Sequence, residues 1–229
     1  MKTKMMIMAL VAGTMLWAGA AAQAQTFDTN FTFGVNQVVP DNDANGLALA
    51  TNLTVAGNSI TAVTVGLNIS GGYNGDLYAY LAGPGGFAVL LNRVGVSNTA
   101  SAYGYGDAGF NVTFSSAAAN NIQYYQNYTN PAGGVVVGTW QPEGVNINPQ
   151  SAPAAFLTAS QAAATLTSFN GTAPNGQWEL FLSDLSPGGQ STLVSWNIDI
   201  ATATVPEPSI LVLTGLGLAG VVRMIRRRK

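Results

Sequence analysis

Apolar and polar residues alternate with a period of two along most of the chain. Phe31, Phe33 and Val35 are separated by Thr32 and Gly34, and Val63, Val65, Leu67 and Ile69 by Thr64, Gly66 and Asn68. The same alternation runs through Leu77, Ala79 and Leu81, then Phe110, Val112 and Phe114, then Trp178, Leu180 and Leu182, and finally Trp196, Ile198 and Ile200. Successive side chains of a strand point to opposite faces, so each stretch predicts a strand with one face toward a core. Turn residues punctuate them: Asn45-Gly46, Asn74-Gly75, Asn170-Gly171 and Asn175-Gly176, with Gly83-Pro84-Gly85-Gly86 and Pro187-Gly188-Gly189. Asn-Gly tolerates the positive φ angles of tight turns. Many short strands so divided predict an all-β, antiparallel, jelly-roll-like β-sandwich.

One stretch breaks the period. Residues 115–165 are rich in Ala, Asn, Gly and Pro, and Ala154 to Leu166 reads as a short helix with Pro153 near its first turn. An excursion of this length is either functional or loosely ordered.

The two ends follow a different pattern. Lys2 and Lys4 precede an apolar run from Met5 to Ala21, and Ala22-Gln23-Ala24 places small residues where a signal peptidase reads them. This predicts a signal peptide over residues 1–24, with Ala20-Ala21-Ala22 as a nearby alternative site. The other end reads Val205-Pro206-Glu207-Pro208, an apolar run of 14 residues from Ser209 to Val222, and a cluster that includes Arg226, Arg227 and Arg228. Both apolar runs carry their positive charge on the flank away from the middle, which places residues 25–204 outside the inner membrane. The second run predicts a transmembrane sorting helix; it falls short of the roughly 20 residues a stable span prefers, which suits a temporary hold. The chain therefore divides into residues 1–24, 25–204 and 205–229.

Charge sharpens this division. Seven of the eight basic residues lie in the two ends, and between Gln25 and Thr204 only Arg93 opposes nine acids, a net charge of −8. Such a segment excludes nucleic acid and anionic lipid as partners and leaves cations and neutral polymers. The chain has no Cys and no His, so disulfides, thiolate chemistry and the usual base of serine and cysteine hydrolases are absent. Glu143 and Glu179 show no local arrangement for glycosidase chemistry. The reading is of a protein that is not an enzyme.

Calcium is the most physical candidate ligand. Asp41-Asn42-Asp43-Ala44-Asn45-Gly46 matches the first half of an EF-hand loop, but the twelfth position is Asn52 where a bidentate Glu is needed. A complete EF-hand is excluded; a looser oxygen cage of Asp41, Asp43 and Asn45 and a simple solvated turn both remain. Asp76, Asp107 and Asp184 are further oxygen sources. For carbohydrate, Tyr124, Tyr125 and Tyr128 offer either a stacking platform or a set of rings packed down onto the sandwich. Tyr73, Tyr103 and Tyr105 lie near turns.

Two stretches together resemble the P domain (P/Homo B domain) that follows the catalytic domain of subtilisin-like proprotein convertases. The first runs from Ile69 through Gly75-Asp76-Leu77 and Gly83-Pro84-Gly85-Gly86 to Val89-Leu90-Leu91. The second comprises Phe169-Asn170-Gly171, Gly176-Gln177-Trp178-Glu179-Leu180, Asp184 and Leu193-Val194-Ser195-Trp196. Val39-Pro40-Asp41-Asn42 is similar to the family's first strand. The resemblance implies a jelly-roll-like sandwich and an accessory, non-catalytic role, with Gly75, Asp76, Trp178, Asp184 and Trp196 as its signature residues. Ser115-Ser116 stands where family members tend to have an acidic pair. Val205-Pro206-Glu207-Pro208, the apolar run and the terminal arginines resemble the PEP-CTERM sorting signal of Gram-negative bacteria. That resemblance implies signal peptidase and an exosortase-type enzyme as partners, passage through the inner membrane, and an envelope or extracellular-matrix destination. Two alternatives stand beside a structural or adhesive role: a module supporting a separate subtilisin-like protease, and a calcium-assisted carbohydrate-binding module.

Overall fold

The computed structural model describes residues 24–96 and 101–204. The signal segment before Ala24, the sorting motif Val205 to Pro208, the apolar run behind it and Arg226 to Arg228 lie outside the described residues. Among the described residues no helix is long and apolar enough to cross a membrane.

The described residues form nine strands: β1 (Thr26–Val38), β2 (Asp43–Leu53), β3 (Ser59–Gly71), β4 (Leu77–Gly83), β5 (Gly86–Asn92), β6 (Gly109–Ser115), β7 (Val136–Trp140), β8 (Gly176–Asp184) and β9 (Ser191–Ala203); the six period-two stretches fall on β1, β3, β4, β6, β8 and β9. They make a sandwich of two sheets, ordered β1-β9-β3-β6-β7 and β2-β8-β4-β5. The inward phases meet between the sheets. Trp178 is fully buried and Trp196 nearly so, with Trp196 stacked on Phe33 at 4.6 Å between ring centroids. Phe169 lies 5.0 Å from Trp178. Rings of this size dominate the apolar burial that drives such a core.

Seven of the nine strands pair only antiparallel to their neighbours, as the turn chemistry predicts. β7 is the exception, running parallel to β6. The reason lies in residues 115–135, which form a crossover instead of a hairpin, with a 3₁₀ turn at Ile122–Asn127, and bring the chain back to its starting end. Parallel neighbours require such a crossover.

The excursion is thus built structure, and its second half has a definite task. β5 is an edge strand, and its outer backbone groups are taken by this segment: Glu143 N donates to Leu90 O at 3.1 Å, Gly144 N to Val89 O at 3.0 Å, and Val89 N to Ala164 O at 2.9 Å. This covers an edge that would otherwise template aggregation. It also shortens the expected helix. α1 covers only Pro153–Thr158, because Ala159 is extended and the following residues turn back to the strand edge.

The sandwich closes where it begins. Thr26 is registered against Ala203, and beyond the last rung Thr204 N donates to Gln25 O at 2.8 Å while Gln25 N donates to Thr204 Oγ1 at 2.9 Å. The opposite pole, roughly 40 Å away at strand rise, gathers the end of β1, the start of β2, the end of β8 and the start of β9.

Candidate functional site

That far pole holds the polar chemistry. Asp184 ends β8 on the same phase as Trp178, Leu180 and Leu182, so its carboxylate points inward at the rim of the core. It is 1% exposed, and no protein donor reaches Oδ2. Ser191 opens β9 on the inward phase of Leu193; it is fully buried and its Oγ also lacks a partner. Ser191 lies near enough to Asp184 to ease its charge without a hydrogen bond of ordinary geometry. Burial, with Asp76 and Asp41 nearby, pushes the Asp184 carboxyl up to about 6, against weak help from the Ser186 backbone.

Asp76 stands beside this pair. It follows Gly75 in a 3₁₀ turn, Asn74–Asp76, and its backbone O accepts from Leu185 N at 3.0 Å, which extends the β4–β8 pairing by one residue. Burial raises its carboxyl, with Asp41 adding to the rise, while Ser186 and Arg93 oppose it. The side chain thus faces across to the 184–188 loop and away from its own turn. Gly75 itself needs no positive φ; a Cβ there would fall 2.2 Å from Tyr103 O and 2.7 Å from the Gly104 backbone, so close approach dictates the glycine. A hollow of about 400 Å³ lined by Tyr73, Asp76, Tyr103, Ser186, Pro187 and Gly188 opens beside Asp76.

Asp41, Asp43 and Asn45 do not converge on one point. Asp43 Oδ1 accepts from both N and Nδ2 of Asn45 at 2.9 Å, an Asx turn closed on itself. Asp41 instead reaches the 184–188 loop, where its Oδ2 accepts from Gly188 N at 3.2 Å. Among the described residues no three carboxylates are already set at metal-ligand spacing. Arg93 directs its guanidinium to the carbonyls of Gly75, Pro149 and Ala102.

A second buried acid, Asp107, is served quite differently. Its oxygens accept from Tyr125 Oη and Gln126 Nε2, both at 2.7 Å, and from Gly133 N at 2.8 Å. Burial opposes its charge, yet these three donors outweigh it and hold the carboxyl below its usual range. Asn74 joins the network: its Oδ1 accepts from Gly109 N at 2.8 Å and its Nδ2 approaches Gly109 O and Tyr125 Oη. Glu143 is fully buried under the excursion, accepting from Asn92 N through Oε2, and desolvation drives its carboxyl well up. On the outer face of the larger sheet, a hydrogen bond to Asp28 together with burial pushes Asp199 up to about 6.

The tyrosines divide. Tyr125 is a fully buried core ring, whereas Tyr124 and Tyr128 are 43% and 59% exposed, so the three form no common platform. A larger aromatic group covers the outer face of the smaller sheet: Tyr80 stacks on Phe181 at 4.8 Å and 12°, with Tyr78 and Phe87 alongside. Tyr80 Oη donates to Glu179 at 2.9 Å; burial first and this bond second push its phenol up to about 12. Rings stacked on one another spend their faces internally, leaving little for a sugar ring to stack upon.

Comparison with known proteins locates the tail more firmly than the sandwich. Residues 204–229 match the family model described as the PEP-CTERM protein-sorting motif, which begins at the residue that closes the β1–β9 pair. The motif makes this an exported chain addressed to an exosortase. No curated protein matches the chain. Among solved structures it is similar to the serine protease of Aeromonas sobria in complex with its chaperone, at 12% identity and a TM-score of 0.44, covering 80% of this chain and 28% of that one. Against a structure of the Aeromonas sobria serine protease alone the values are 11% and 0.43, covering 79% and 27%. The chain thus spans less than a third of the length of either.

Proposed function

We propose that this protein is a non-catalytic component of the bacterial envelope or extracellular matrix, a sandwich of the P-domain type delivered by its sorting tail. The observation that carries this reading is the junction at Thr204. The last strand is sealed to the first by the Gln25–Thr204 hydrogen bonds, and the sorting motif starts at that same residue. A tail attached to a closed fold in this way can be held in the membrane, or removed, without unpairing a strand. Several polar side chains are committed to internal bonds, as the Asp107 network and the Asp43–Asn45 turn illustrate, and neither His nor Cys is present to supply a base or nucleophile. The resemblance of residues 69–91 and 166–198 to an accessory domain fits the same role.

Replacing Pro206-Glu207-Pro208 by alanines tests the delivery step. The altered chain should accumulate uncut in the inner-membrane fraction, while the natural chain appears shortened in the outer envelope or medium. Equal size and distribution of the two would overturn the proposal. Retention of the natural protein on matrix polysaccharide, or its co-purification with a subtilisin-like protease, would assign the role to one of those two partners instead.

A further inference from the structure

We propose that the far pole is a calcium site in which Asp76 and Asp184 are the carboxylate ligands, Ser191 and Ser186 supply hydroxyl oxygens, and Asp41 adds charge from the rim. Three carboxylates near one another would not suffice for this inference, and a further observation points to a cation. This is Ser191, a fully buried hydroxyl without a partner, beside a buried carboxylate oxygen without one. Leaving such groups unpaired is costly, and a protein that needed only packing there would carry apolar side chains.

Gly72, in the left-handed region at φ +79°, fixes where that hydroxyl sits: a Cβ on it would fall 1.8 Å from Ser191 Oγ, so any larger residue would displace the hydroxyl. The one base of the sandwich, Arg93, gives its hydrogen bonds to carbonyls and only eases the charge of Asp76 from a distance. The hollow lined by Tyr73, Asp76 and Ser186 opens the Asp76 side of the group to solvent.

The donor chemistry selects the ion. All the available atoms are oxygens, two of them neutral hydroxyls, at strand ends and in turns that need not form a regular octahedron. Calcium accepts six to eight oxygens in irregular geometry and completes its shell with water and carbonyls, whereas magnesium demands a near-ideal octahedron. Two direct carboxylates are therefore enough, and Asp41, tied to Gly188 N, adds its charge from a second shell. The site differs from the one the 41–46 motif suggests, because Asp43 and Asn45 are bound to each other.

The test is a thermal melt of the purified full chain in detergent, first stripped with chelator and then titrated with calcium chloride. At a hundredfold excess over Kd the melting temperature should rise by roughly 5–10 °C, and magnesium at equal concentration should leave it unmoved. Asp184→Asn should abolish the rise while melting, without calcium, no lower than the natural chain, because it removes an unpaired charge. Asp43→Asn should keep the full rise. A rise that survives Asp184→Asn, or one that vanishes with Asp43→Asn alone, overturns the assignment. Calorimetric titration of the natural chain with calcium chloride does not depend on any variant folding: one ion bound per chain supports the site, and no binding heat together with an unmoved melt refutes it.

Discussion

Asp107 and Asp184 are 4% and 1% exposed, and the sandwich treats them in opposite ways. Around Asp107 the chain assembles a tyrosine hydroxyl, a glutamine amide and a backbone N–H, and the carboxyl stays ionised more readily than in water. Around Asp184 it leaves one oxygen bare and sets a second buried hydroxyl without a partner next to it. The first is a finished network that holds the 122–133 crossover against β6. The second has room for something further. Burial alone is therefore a poor guide to the purpose of an acid; the number of donors the fold spends on it is a better one.

The largest expected effect lies on the finished side. Asp107→Ala strands three donors and should cost about 3 kcal/mol in urea unfolding. The loss should shrink in acid, since a carboxyl held below its ordinary 3.8 contributes above that pH and ceases to contribute as pH falls through its lowered value. Equal losses for Asp107→Ala and Asp184→Ala in chelator would erase the contrast. On the open side, Gly72→Ala forces a methyl onto the position of Ser191 Oγ at a positive φ and should cost about 1–2 kcal/mol or more, together with the calcium response; an unchanged response would show that the Ser191 hydroxyl is not a ligand.

Glu143 sharpens the comparison from a third position. Buried with its proton retained, it makes the folded chain lose stability as pH rises from its ordinary 4.5 toward its raised value. Glu143→Gln should remove that slope, so the gap between the two proteins should widen by up to about 1.4 kcal/mol per pH unit within that window. Parallel pH profiles would contradict this. The smallest effect belongs to Asp199, paired with Asp28 on the outer face, where solvent screens the repulsion. Its raised carboxyl favours the fold at low pH and loses that contribution as pH climbs to about 6. Asp199→Asn should therefore raise the melting temperature by about 1–2 °C at pH 7 and by nothing near pH 3, a difference readable by calorimetry.

Much of the sandwich was legible because its evidence is local. Trp178, Leu180 and Leu182 share a phase, and a phase is enough to assign a buried face. The parallel β7 was not legible, since Val136–Trp140 reads as exposed loop until β6 offers it a partner. The length of α1 was misjudged for the same reason: the return of Ala164 to the edge of β5 is a long-range bond that no helical period announces. The far pole was half visible. Asp184 extends the inward phase of β8 and Ser191 that of β9, and a charge or hydroxyl at a core position is itself a signal. What the sequence could not supply was their meeting, which depends on the ends of two strands in different sheets. The Asp41–Asn45 motif drew attention to a neighbouring loop whose oxygens serve one another.

The pairing of the sandwich's own two ends has a mechanical consequence. β1 and β9 share eleven registered positions, and both leave the fold at the same pole. A pull applied between Gln25 and Thr204 would open that ladder rung by rung, at low force. A pull between the tail and a partner gripping the far pole would instead load all the rungs of β9, and those of its neighbours β1 and β3, in shear. Held by its C-terminal end and gripped at the opposite pole, the sandwich would bear tension along its strong axis.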